Sequence, residues 1–169
     1  MKKQSFIKIG LALLTSMIIL SFVKKDKILI EGTWTIAEVK TIRADGSSFS
    51  TIPHQSHVIF SKDNYSFCWT SDTTKLKDWF LGDTEKLQRF NLSIINTGTF
   101  ELKDSILTTK AIFAMHPMFV NGEAKFKCTF IGDTLVLTGL SVFSEDKLSH
   151  PVYANGSYFI NKLLKVKKQ

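Results

Sequence analysis

Four histidines and two cysteines are the residues of this 169-residue chain best suited to chemistry, and their spacing decides what is open to them. His54 and His57 stand three apart beside Pro53. A strand brings residues two apart onto one face, and a metal site needs about three or four converging ligands, so this pair is expected to be exposed loop residues. His116, in "AMHPMF", precedes Pro117, which makes the segment extended or turning. It could anchor a ligand at the mouth of a cavity, act there as acid or base, or be partly buried for structural reasons. His150 precedes Pro151 and reads as a turn residue. Arg89 could fix a carboxylate if it turns inward and would be solvated if it turns outward. Acidic residues sit mainly in turns (Asp45, Asp63, Asp104, Asp133). Nucleophile elbow, metalloprotease helix, phosphate loop, dinucleotide fingerprint and Cys-x-x-Cys pair are all missing. No catalytic set, metal or cofactor is expected.

The cysteines lie in two aromatic strands. In "YSFCWT" the apolar face is Tyr65, Phe67 and Trp69, which leaves Cys68 on the other side. In "KFKCTFI" Phe126, Cys128 and Phe130 share the apolar face. One outward and one inward thiol cannot meet without a bulge, so free thiols are expected. The two inward faces, with Phe113, Met115 and His116, either line an apolar pocket with few polar anchors or fill a solid core.

These residues need elements to hold them. Alternation places strands at 33–43, 56–61, 65–71, 98–102, 105–110, 123–131, 134–142 and 152–165. Short Asp-, Asn- and Gly-containing links such as "SKDN", "KD" and "GD" suit tight hairpins. The pattern predicts an all-β antiparallel meander of about eight strands closing into a barrel. One helix interrupts it in "WFLGDTEKLQRFNLSIINTG". Asp83 or Thr84 would be its N-cap, Leu87, Phe90, Leu92, Ile94 and Ile95 its apolar face, and Asn96–Gly98 its end.

Residues 1–25 read as a signal peptide or N-terminal membrane anchor: a basic start, an apolar run from Ile9 to Val23, then basic residues again. The run matches a signal h-region better than a bilayer span, so export to the periplasm or beyond is expected. An uncleaved leader would associate the chain with a membrane. Residues 26–169 form the single folded domain, expected to be a monomer. The net charge of +7 does not mark a nucleic-acid surface. Lys2, Lys3 and Lys8 belong to the leader and Lys162, Lys165, Lys167 and Lys168 to the C-terminal end, and the signs cancel between them. Asn64, Asn91 and Asn155 each begin an Asn-x-Ser triplet.

"EGTWTIAEVKTIRADG", "VIFSKDNYSF" and "NTGTFELKDSILTTKAIFAMHPMFVNGEAKFKCTFIGDTLVLT" together resemble the bacterial lipocalin-like domain proteins, over residues 31 to about 140. The shared features are a Gly-x-Trp first strand, an Asp-Gly turn, an aromatic hairpin, a Gly-Thr-Phe strand and a Gly-Asp-Thr-Leu hairpin. The resemblance implies an extracytoplasmic barrel with an internal cavity for a small apolar or amphipathic ligand. Lipocalins often stack an Arg of the last strand on the Gly-x-Trp tryptophan; this chain offers Lys162 or Lys165 instead. Trp34 is expected to close the barrel base rather than touch a ligand. A partner-binding envelope protein with a filled core is the competing expectation.

Overall fold

The computed structural model describes residues 30–75 and 79–167. The leader expected at residues 1–25 and the end of the basic tail, Lys168, lie outside the described residues. Nine strands run β1 Gly32–Ile42, β2 Ser48–Thr51, β3 Gln55–Ser61, β4 Asn64–Thr70, β5 Ser93–Lys103, β6 Ile106–Ala114, β7 Glu123–Ile131, β8 Thr134–Phe143 and β9 Tyr158–Lys165. Helix α1, Asp83–Asn91, lies between β4 and β5, and the single helical turn α2, Pro151–Ala154, lies between β8 and β9. Each strand pairs antiparallel with its neighbour, and β9 returns to pair with β1. β2 and β3 share one side of β1, β3 along Gly32–Trp34 and β2 along Val39–Ile42. The nine strands therefore make eight staves, the expected closed antiparallel barrel.

The two ends of the barrel differ. At one end three hairpins turn on two residues each, at 62–63, 104–105 and 132–133. Lys62, Asp104, Ser105 and Gly132 there take φ values of 55°, 50°, 64° and 57°, the left-handed region that two-residue hairpins use. At the other end the connections are long and carry α1, a 3-10 turn at Pro117–Phe119, and α2. The turned end is filled. Trp34, Phe60, Leu135 and Leu163 are almost wholly buried there with Val58 and Ile30, each contributing roughly 1.5–3 kcal/mol of burial. The Trp34 indole donates to the Ile30 carbonyl at 2.8 Å, and Lys165 Nζ sits 5.3 Å from its ring centroid. Of the two lysines available to cover Trp34, Lys165 does so; Lys162 pairs with Glu38 at 2.6 Å instead.

Three bulges interrupt the alternation. An extra residue, Ala37, stands in β1 between Ile36 and Glu38, so that both Trp34/Ile36 and Val39/Thr41 face inward. Ile112 is the extra residue in β6, opposite the Thr97–Gly98 step, and Leu140 the extra residue in β8. Each reverses the side on which the rest of its strand presents its side chains. Gly98 is required beside one of them: a Cβ there would stand 2.0 Å from the Lys110 carbonyl oxygen.

The helix is shorter than the sequence pattern suggests. It ends at Asn91, and Leu92, Ile94 and Ile95 leave it, the last two lying in β5. Asn96–Gly98 are strand residues and not a helix stop. Gly82, not Asp83 or Thr84, occupies the N-cap, with Asp83 and Glu85 in the first turn where their charge favours the helix dipole. The apolar run was shared by two elements, and β pairing with Trp69 and Cys68 claims Ile94 and Ile95. Among the described residues no helix is long and apolar enough to cross a membrane. Both cysteines are free, Cys128 buried and Cys68 half-buried. Burial pushes the Cys128 thiol up to about 12.

A candidate binding cavity at the open end

Above the filled half the barrel holds a cavity of about 400 Å³. The fully buried Leu107 and Leu137 are among its lining residues, where it borders the packed core. Its walls are aromatic and aliphatic: Tyr65, Phe67, Trp69, Phe126, Phe159 and Val39 are among the lining side chains. β4 contributes three of these rings by strict alternation, as its sequence predicts. Phe126 follows the same rule on β7.

Four of the expected site residues are placed elsewhere. Phe113 shares the parity of Leu107, Thr109 and Ala111, all inward, but the bulge at Ile112 turns it out, and it is 60% exposed. Met115 lies beyond the end of β6, half-buried, with its backbone N–H donating to the Ile95 carbonyl. His116 is exposed at the rim and does not line the cavity. Phe130 has inward parity but stands too near the turned end; its ring is 6.4 Å from Trp34, beneath the cavity. Trp34 likewise lies in the filled end and takes no part in the lining.

The wall contains residues that alternation does not reveal. Phe119, His150 and Tyr153 come from the long connections and close one side of the mouth. Together with Phe90, His116 and Phe159 they form a continuous run of ring contacts. Phe90 to His116 is 6.3 Å, His116 to Phe119 5.9 Å, Phe119 to His150 5.8 Å, His150 to Tyr153 6.1 Å and Tyr153 to Phe159 6.0 Å. Two His-Pro pairs set this run in place by one device. In each, Nδ1 of the histidine accepts the backbone N–H two residues on, from Met118 and from Val152, both at 3.3 Å. In each, the proline then opens a short helical turn with its φ already suited to it. The repeated His-Pro pair was the available sequence signal for His150, which is a wall residue as well as a turn residue.

His150 is held below the ordinary imidazole range, first by burial and then by the neighbouring His116 charge. Burial pushes the Tyr65 and Tyr153 phenols up to about 12, so both stay neutral. Tyr153 fits over β8 because residue 139 is glycine; a Cβ would come within 2.1 Å of its hydroxyl. Among the described residues that line the cavity, Glu123 alone carries a charge, and Lys125 pairs with it at 3.3 Å. Arg89 points away from the cavity, donating to Gln55 Oε1 at 3.1 Å and standing 3.7 Å from Asp72. Asp72, buried, also accepts from the Thr74 backbone and hydroxyl and from Gln88 Nε2, and so ties α1 to the β4–α1 connection. These bonds, led by those from Thr74, hold its carboxyl below the usual range.

Among the described residues no three His, Cys, Asp or Glu side chains gather where they could hold a metal ion. The chain matches no protein-family model, no curated protein and no solved structure. What the arrangement can do chemically rests on the cavity itself: it can remove apolar surface from water in a largely apolar enclosure open at one end.

Proposed function

We propose that this protein is a lipocalin-like carrier, working outside the cytoplasm, that binds a small hydrophobic or amphipathic molecule without transforming it. The observation that carries the reading is the cavity of about 400 Å³ walled by Phe67, Trp69, Phe126 and Phe159 and open through the loop end. That volume falls in the range of about 300–1,000 Å³ common for small-molecule sites. Burial of ligand surface at roughly 25 cal/mol per Å², less the cost of immobilisation, would supply the affinity. A non-catalytic role fits the histidines, whose Nδ1 atoms are occupied by backbone N–H groups and which have no hydrogen-bonded carboxylate among the described residues. The leader, with its basic start and apolar run, supports export.

Native mass spectrometry of the chain, purified without detergent from an exporting host, tests the reading. A bound molecule of a few hundred daltons, or saturable uptake of the hydrocarbon fluorophore diphenylhexatriene, is the expected result. A clean mass with no uptake of the fluorophore would refute it. A second reading has one observation in its favour: Trp79 and Phe80, in the β4–α1 connection, are 98% and 87% exposed, as a surface meeting a protein or membrane partner would be.

A further inference from the structure

Asn161 stands out in the cavity wall. It lies on β9 between Val39 of β1 and Leu137 of β8, its register partners on either side, and all three face the cavity. It is 6% exposed, yet its carboxamide makes no hydrogen bond to the described residues. Every fully enclosed side-chain nitrogen or oxygen among those residues does have a partner. The Asn161 amide therefore keeps its access through the cavity. Thr41, two residues beyond Val39 on the same face, is also buried in the lining with no side-chain bond to the described residues. An unpartnered amide between two aliphatic neighbours costs stability that a leucine would not, unless something in the cavity bonds to it.

The charge of the lining restricts what that can be. No lysine or arginine is among the described lining residues, and Glu123 is the one charge. A carboxylate or phosphate placed beside Asn161 would be left unpaired in an apolar enclosure. A hydroxyl or carboxamide would not, because an Asn side chain both donates and accepts.

We propose that Asn161 is the polar anchor of the cavity, and that the ligand is an uncharged amphiphile seated head-inward with a hydroxyl or amide group against it. The inference rests on the cavity-binding reading above. It gives the cavity an orientation: the head lies deep beside β9, and the tail runs between Phe67, Trp69 and Phe126 toward the mouth.

The test is competition against diphenylhexatriene, which cannot hydrogen bond, in the full-length protein and in Asn161→Leu. 1-Decanol, decanamide and decanoate are the competitors. The fluorophore should bind both proteins within about twofold. Decanol and decanamide should bind Asn161→Leu about five- to tenfold more weakly than the natural protein, the size of one net hydrogen bond. Decanoate should be weak and indifferent to the change, since it can enter only tail-first. Equal affinity of decanol for both proteins, with the fluorophore still binding, would overturn the anchor and leave the cavity reading standing. Tighter binding of decanoate than of decanol would overturn the neutral-head assignment. Failure of the fluorophore and of every competitor to bind the natural protein would overturn both readings. Should Asn161→Leu not fold, Asn161→Ala carries the same expectation for decanol against the fluorophore.

Discussion

The turned end and the open end of this barrel are built by the same eight staves and behave as different materials. Near the turned end, loops of two residues hold neighbouring strands in register, and side chains from opposite walls meet across the axis. Near the open end, the same strands are joined by long connections, and the opposed side chains stop short of one another around the cavity. Close packing is concentrated in the first and open volume in the second. The difference teaches that a barrel need not be uniformly hollow or solid: short turns allow the packing that fills it, and long connections supply the rings that wall a void.

Truncation at matched positions would break or sharpen this contrast most directly. Trp34→Ala should cost about 3–5 kcal/mol of unfolding free energy, because the indole is fully buried among well-packed neighbours and loses its bond to the Ile30 carbonyl. Phe126→Ala, in the cavity wall, should cost only about 1–2 kcal/mol, since that ring already borders empty space and is half-buried. Denaturant titration measures both. The second variant should in addition weaken diphenylhexatriene binding several-fold, and the first should leave it unchanged in the folded fraction. Equal costs at the two positions would mean that the open end is packed as tightly as the turned end.

The contrast also governs what could be read from the sequence. The turned end was legible: Trp34 and Ile36 alternate, and the Asp and Gly turns mark the hairpins. Fully buried strand positions have no competing partners, so period-two alternation predicts them directly. The wall was legible only where a strand runs without a bulge, as β4 does through Tyr65, Phe67 and Trp69. One extra residue at 112 is enough to turn Phe113 outward, and nothing in "TTKAIFAM" marks which residue will be the extra one. His150, Phe119 and Tyr153 enter the wall from loops, where no periodicity exists to be read. Asn161 alternates inward with Phe159 and Leu163 in "YFINKLLK", and the role proposed for it follows only once its aliphatic neighbours on β1 and β8 are known.

Two acid-sensitive contacts at the open end come next in size. The His150 imidazole prefers its neutral form when folded, while the unfolded chain takes up a proton near the ordinary value of 6.5. The unfolded state then binds more protons as pH falls below that value, so stability declines until the lowered folded value is reached. Protonation must occur at Nδ1, the atom that accepts the Val152 N–H, and would uncap α2. Asn keeps a capping oxygen and does not titrate. His150→Asn should therefore flatten the dependence of melting temperature on pH between 7.5 and 5, read by calorimetry; an unaltered slope would place the acid sensitivity elsewhere. Asp72 acts lower. Its carboxyl contribution is complete above the unfolded value of 3.8 and is lost as pH falls through the lower folded value. Asp72→Ala at neutral pH removes the oxygen that Thr74 and Gln88 share and should loosen α1, seen as faster proteolysis in the β4–α1 connection with the barrel intact; unchanged cleavage would mean that the helix is held by its other contacts, Arg89 to Gln55 and Phe90 to His116.

The smallest expected effect belongs to the turned end. Lys165 covers Trp34 from the last strand, in register with it, and its ammonium remains in water. A cation over an indole at an exposed site is worth about 0.5–1 kcal/mol, and the aliphatic stem shields the ring whether or not the charge is present. Lys165→Met keeps the stem and removes the charge, and should lose no more than about 1 kcal/mol. Lys165→Arg should lose nothing, since a guanidinium stacks on the same face. If Lys165→Met matched the loss from Trp34→Ala, the lysine would be closing the barrel and the tryptophan merely filling it. The near-complete burial of Trp34 and its bond to Ile30 argue for the opposite division of labour.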